Sequence, residues 1–162
     1  MKKTKVITEI PFGLSGRIFR SPMPFSPYDP GKQAFPEMMQ NNISIVIILT
    51  EEPEYKEQTG EDLIAFYKEE GMKVIHLPIA DFNVPHREEL EIVLDQTLDY
   101  ALNGKNIAVH CLAGIGRTGL FMASLAKRVF GYSGKEAILW VRKYIPEAVA
   151  NAPQIRFILE DH

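Results

Sequence analysis

Seven residues, Ile43-Ser-Ile-Val-Ile-Ile-Leu49, restrict the fold more than any other stretch of the chain. All but Ser44 are large and apolar, and no polar alternation runs through them. A strand of this kind has no face to offer water, so it belongs inside a sheet that helices cover on both sides. The segments around it agree. Met72–Leu77 and Ile107–His110 are further strand candidates, and Gly16–Arg20 is a short one. Helices are expected at Thr59–Glu70, with Thr59 as N-cap and Gly71 just past the end, at Arg87–Leu102 and at Arg117–Phe130. The second of these carries an apolar stripe of Leu90, Val93, Leu94, Thr97, Leu98, Ala101 and Leu102, punctuated by Pro85 and Asn103-Gly104. Ser133-Gly-Lys-Glu136 is a capping box that should open a helix burying Ala137, Trp140, Val141, Tyr144 and Ile145. Asn151 and Pro153 should start a last helix carrying Ile155, Ile158 and Leu159. Pro11, Pro22, Pro24, Pro27, Pro30 and Pro36 make the first third irregular. The expected fold class is α/β: a small central, mostly parallel sheet of four to five strands flanked by helices on both faces, as one domain over 1–162.

The length of 162 residues suits one core, and 46% hydrophobic with 24% charged residues is enough to build it. The formal net charge of −3 argues against a general nucleic-acid binder. No apolar run approaches the roughly 20 residues that cross a bilayer. Met1-Lys2-Lys3 resembles the start of a signal segment, but Glu9 and Pro11 interrupt the apolar run that should follow. Cys111 is the only cysteine, so the chain has no internal disulfide. These features point to a cytoplasmic protein with neither membrane nor nucleic acid as partner.

In open parallel sheets ligands sit beyond the carboxyl ends of the strands. That directs attention to the loops Thr50–Gln58, Pro78–His86 and Cys111–Arg117. The last lies in Ile107-Ala-Val-His-Cys-Leu-Ala-Gly-Ile-Gly-Arg-Thr-Gly119, which reads strand, glycine-rich loop, helix, and such a loop aims N–H groups at an anion. A nucleotide P-loop fails here, because its first glycine would be Cys111 and its lysine Arg117. Gly114-x-Gly116-x-x-Gly119 matches the dinucleotide fingerprint literally. Only helices follow it, however, and Glu136, the acidic residue at the right distance, lies inside one.

The third match uses the cysteine. His110-Cys111, five residues, then Arg117-Thr118-Gly119 is the His-Cys-x5-Arg-Ser/Thr-Gly signature, complete over ten residues. Here the chain resembles the cysteine-based protein tyrosine phosphatase superfamily, in particular its small dual-specificity-like branch, and the resemblance implies the phosphotyrosine phosphatase-like fold. The chemistry is consistent. The thiolate is the nucleophile, and N–H donors at a helix N-terminus favour it over the thiol. Arg117 offers a planar fork for two phosphate oxygens where lysine would offer a point charge. Leu112, Ala113, Gly114, Ile115 and Gly116 would hold phosphate with Arg117, with Gly114 and Gly116 allowing a tight turn. Thr118 can hydrogen-bond the sulfur, and the resemblance gives His110 the task of orienting the loop.

Ester cleavage also needs a proton donor. Asp81, in Pro78-Ile-Ala-Asp-Phe-Asn-Val-Pro85, follows a strand on the same sheet edge, and the family places its mobile acid loop in this order. The larger tyrosine-specific members carry Trp-Pro-Asp there, whereas this chain has Ile79-Ala80-Asp81. Asn83 and His86 are alternatives. Gln154 resembles a family position that orients the hydrolytic water and serves equally well as a first-turn helix residue. Arg20 reads as a surface arginine, although a similar segment reaches substrate in some relatives. Glu51, Glu52 and Glu54 read as a solvated acidic loop, one of which could pair with Arg117. His76 reads as a plain strand residue. The expected partner is a phosphorylated protein, as phosphotyrosine with phosphoserine and phosphothreonine also admitted, and no cofactor or metal is called for. Other phosphate monoesters (a phosphoinositide, an inositol phosphate, an RNA 5′-phosphate), a silent phosphate-binding module and a sulfurtransferase are the competing readings.

Overall fold

The computed structural model describes residues 4–160, so Met1-Lys2-Lys3 lies outside the described residues. Five strands form one sheet: β1 (Thr8–Ile10), β2 (Ile18–Ser21), β3 (Ile43–Ile48), β4 (Lys73–His76) and β5 (Asn106–His110). Their spatial order is β1-β2-β5-β3-β4, with every neighbouring pair parallel except β1 with β2. The α/β expectation of a small, mostly parallel sheet therefore holds.

The helices are α1 (Ala34–Gln40), α2 (Glu52–Thr59), α3 (Leu63–Glu69), α4 (Arg87–Leu102), α5 (Gly116–Phe130), α6 (Gly134–Val141) and α7 (Ala152–Leu159). They divide between the two sheet faces, and β3 shows why its sequence has no polar side. Ile45, Ile47 and Leu49 pack with α4, α5, α6 and α7, while Val46 and Ile48 pack with Met38 of α1, Tyr55 of α2 and Tyr67 of α3. Strand β5 divides in the same way, with Ile107, Val109 and Cys111 on the first face and Ala108 on the second.

Several boundaries differ from the sequence reading. The expected helix Thr59–Glu70 is the shorter α3. Thr59 ends α2 rather than capping α3, Gly60 turns between them at φ +71, and Asp62 caps α3 through Ala65 N–H. The expected loop Thr50–Gln58 is thus mostly α2, with Pro53 in its first turn. Prolines concealed α1 as well: Pro36 lies in the first turn, where a missing N–H leaves nothing unpaired. Buried Asp29 caps that end instead, its Oδ1 accepting from Gln33 N at 2.9 Å and Ala34 N at 3.1 Å. On the α4 stripe Leu102 is exposed, and on α7 Leu159 is exposed while Phe157 is buried. Ser133 and Glu136 do form the capping box of α6, but the helix ends before Tyr144 and Ile145. Among the described residues no helix is long and apolar enough to cross a membrane.

Candidate active site

Strand β5 delivers Cys111, and α5 begins five residues later, so the loop between them lies at the carboxyl edge of the sheet. Cys111 is 3% exposed and Arg117 2%. Thr118 Oγ1 donates to Cys111 Sγ at 3.1 Å. Three successive loop carbonyls are taken up by donors outside the pocket lining: Leu112 O accepts from Met23 N at 2.9 Å, and Ala113 O and Gly114 O accept from Arg20 at 2.8 and 3.1 Å. In a planar trans peptide the next N–H points the opposite way. The N–H groups of Ala113, Gly114 and Ile115 therefore turn toward the side where the pocket opens, beside the first turn of α5. Gly114 has φ +78, and a Cβ there would lie 2.4 Å from Ser21 O. Gly116 needs no such freedom, since it is the first residue of α5.

Arg117 is held from three directions. Its Nη1 and Nη2 meet Glu54 Oε1 and Oε2 at 2.9 and 2.7 Å, Nη1 also donates to Ile79 O at 2.9 Å, and Nη2 lies 3.2 Å from Asp81 Oδ1. Burial alone would lower the Arg117 guanidinium. The bond to Glu54, with Cys111 and Asp81 nearby, outweighs it and raises the group above its ordinary value. Asp81 itself is half in water, its side chain 48% exposed. Its loop is tied to the start of α7: Asn151 Nδ2 donates to Phe82 O at 2.9 Å and Gln154 Nε2 to Asn83 O at 3.4 Å. Buried Gln154 also accepts from Ala150 N at 2.9 Å. It is both a first-turn helix residue and a wall of the pocket.

Behind the loop, His110 is fully buried. Burial lowers its imidazole to about 4, against the opposing effect of the Cys111 carbonyl. Tyr67, whose hydroxyl burial holds above its ordinary value, lies 2.9 Å from His110 Nε2, and His110 Nδ1 lies 3.3 Å from Cys111 O. With a neutral ring this network assigns the tautomer: Tyr67 donates to Nε2, and Nδ1–H donates to the carbonyl.

The pocket encloses about 200 Å³, with Cys111, Gly116 and Arg117 among its lining groups and Tyr28 and Phe82 at its rim. Asp81 and Gln154 line it too, whereas Asn83 and His86 do not. Two residues differ from what the sequence led one to expect. Arg20 is half-buried beneath the loop rather than a surface arginine, and Glu54 is the carboxylate that pairs with Arg117, on a helix rather than a solvated loop. Glu51 and Glu52 stay at the exposed start of α2, and His76 is a strand residue bonded to Thr50 O at 2.7 Å. The aromatic rim and Tyr67 carried no sequence signal, because only the strand order brings these segments together.

Residues 25–129 match a family model described as "Tc-R-P: Polymorphic toxin system, DSP-PTPase phosphatase". The chain is 32% identical over 130 residues to the probable protein tyrosine phosphatase type IVA B of Dictyostelium discoideum, covering 78% of this chain and 73% of the relative. It is 33% identical over 88 residues to an uncharacterized protein of Methanocaldococcus jannaschii, over 53% of this chain and only 57% of that relative's length. The fold is similar to the crystal structure of Tk-PTP in its active form, with a TM-score of 0.75 and 27% identity over 94% of this chain and 95% of that one.

Proposed function

Because the chain belongs to the DSP-PTPase phosphatase family, we propose that it hydrolyses phosphate monoesters through a phosphocysteine on Cys111, with phosphorylated protein as substrate. The observation that carries this reading is the pairing of Thr118 Oγ1 with Cys111 Sγ beside the forked, buried Arg117. In the first step the Cys111 thiolate attacks phosphorus in line. The P–S bond forms as the ester P–O bond breaks, and its electron pair leaves with the oxygen, which takes a proton from Asp81. In the second step water attacks phosphorus and gives a proton to Asp81. The P–S pair returns to sulfur, where the Thr118 hydroxyl stabilises it. Arg117 and the N–H groups of the loop hold the equatorial oxygens throughout. Gln154 keeps one amide N–H and one Oε1 lone pair with which to orient that water, after its bonds to Asn83 O and from Ala150 N.

Tyr28 and Phe82, 55% and 71% exposed at the rim, give an aryl ester flat apolar surfaces to rest on. Leu112, Ala113 and Ile115 add no cation for a multiply phosphorylated inositol ring. Both features favour phosphotyrosine, with phosphoserine and phosphothreonine as slower substrates.

The test is hydrolysis of p-nitrophenyl phosphate from pH 4 to 8 with EDTA present, for wild type and Cys111→Ser. Turnover that survives chelation and vanishes in the variant is the expected result. Turnover by the variant would remove the nucleophile assignment, and phosphate binding without wild-type turnover would mean a silent module. Phosphotyrosine peptides should then outpace phosphoserine peptides, inositol phosphates and 5′-phosphorylated RNA; the reverse order would overturn the substrate assignment alone.

A further inference from the structure

We infer that Arg20 is a positioning residue of the phosphate loop, setting from β2 the direction in which the loop's N–H groups point. The inference rests on the phosphatase reading for its consequences and on independent geometry for its substance. Arg20 sits opposite Val109 in the β2–β5 register, one strand away from the segment that ends in Cys111. Its guanidinium makes three bonds, all to backbone carbonyls: Nη2 to Ala113 O at 2.8 Å, Nε to Gly114 O at 3.1 Å and Nη1 to Val6 O at 2.9 Å. Two consecutive loop carbonyls thus converge on one planar group. For that to happen the chain must turn through positive φ at Gly114.

Gly114 and Arg20 specify each other. A Cβ on residue 114 would lie 2.3 Å from Arg20 Nη2, so a side chain there would occupy the place the guanidinium takes. A lysine at position 20 could not reproduce the arrangement, because a compact ammonium lacks the rigid fork that addresses separate acceptors. The third bond anchors Arg20 to the N-terminal segment. Glu37 of α1 in turn holds that segment, its Oε1 accepting from Val6 N at 2.9 Å and Ile7 N at 3.1 Å. Support for the loop therefore runs from a helix on one sheet face to the anion-facing amides at the sheet edge.

Arg20 also adds charge. Burial lowers its guanidinium, while coulombic interaction with Cys111 opposes that fall, so Arg20 is a cation within electrostatic reach of the sulfur. The other charges around the sulfur are Arg117 from α5, with Asp81 from the acid loop and Glu54 from α2 reached through it, and the imidazole of His110 is uncharged above pH 4.

Arg20→Lys and Arg20→Met separate the two contributions. The measurements are kcat and KM for p-nitrophenyl phosphate, the affinity for inorganic phosphate, and the pH dependence of Cys111 alkylation by iodoacetamide, with thermal melting as a check on folding. Arg20→Lys should weaken phosphate binding and raise KM about tenfold, with kcat changed far less and the alkylation profile kept near that of wild type. Arg20→Met should show the same loss and also move alkylation to higher pH. A folded Arg20→Met with phosphate affinity within about twofold of wild type and an unmoved alkylation profile would overturn the inference. Should Arg20→Met not fold, wild-type phosphate affinity in Arg20→Lys would overturn it equally. An inactive wild type would sink the phosphatase reading alone, since phosphate affinity and alkylation still score Arg20. Normal turnover with indifferent Arg20 variants would sink only the positioning role.

Discussion

Arg117 answers to two carboxylates whose holds on it are unequal. Glu54 grips it with both oxygens from a largely buried position, whereas Asp81 touches it with one oxygen and stands half in water. On the proposed mechanism an entering phosphate dianion competes for the same nitrogens, and the weaker contact is the one to yield. Asp81 is then freed to approach the leaving oxygen, where the proposed acid has to stand. Glu54, by contrast, should stay and keep the fork aimed. Glu54→Gln retains one acceptor but loses the charge and the second bond. It should lower kcat/KM for p-nitrophenyl phosphate by about 10- to 100-fold through misalignment of the guanidinium. An unchanged kcat/KM would mean that Ile79 O alone orients Arg117.

Elements here are joined by close backbone approaches that leave no room for added atoms. Gly119, in the first turn of α5, is the clearest case. A Cβ on it would meet Ala148 Cβ at 2.6 Å and Val149 N at 2.9 Å, and backbone gives way less readily than the end of a flexible side chain. Gly119→Ala should therefore destabilise the fold by about 1–3 kcal/mol, lowering Tm by roughly 2–10 °C in thermal melts. A Tm equal to that of wild type would show that the 148–149 segment can withdraw. At this scale much was legible in the sequence. The apolar run of β3, the stripe of α4, the Ser133 capping box and the cysteine-to-arginine spacing are local patterns, and local patterns survive without coordinates. What was not legible depends on neighbours. Pro36 argued against a helix that in fact holds it in the first turn, a position that removes the usual objection to proline. Gly119 reads as the last letter of a motif, and its contact with Ala148 exists only once α5 has packed. Arg20 and Glu54 look like solvated charges until the strand order places one under the loop and the other beside its arginine.

For the molecule as a whole, the buried imidazole of His110 ties stability to acidity. Free in the unfolded chain it titrates near pH 6.5; folded, it titrates at about 4. Between those values the unfolded state binds more protons. Stability is thus complete above about pH 6.5 and falls as the pH drops toward 4, by about 3 kcal/mol from this group. Denaturant unfolding at pH 7 and pH 4 should show His110→Asn losing less stability over that interval than wild type. Equal losses would mean that the imidazole accepts its proton without unfolding. The sheet order carries a different consequence, for how the protein comes into being. Central β5 pairs with both β2 and β3, yet Ile107 follows its partner Ile18 by roughly ninety residues. On the ribosome the outer strands are made first and wait with open edges for the strand that unites them. Cys111 comes directly after that strand, so the nucleophile proposed here takes its place only once the sheet has closed.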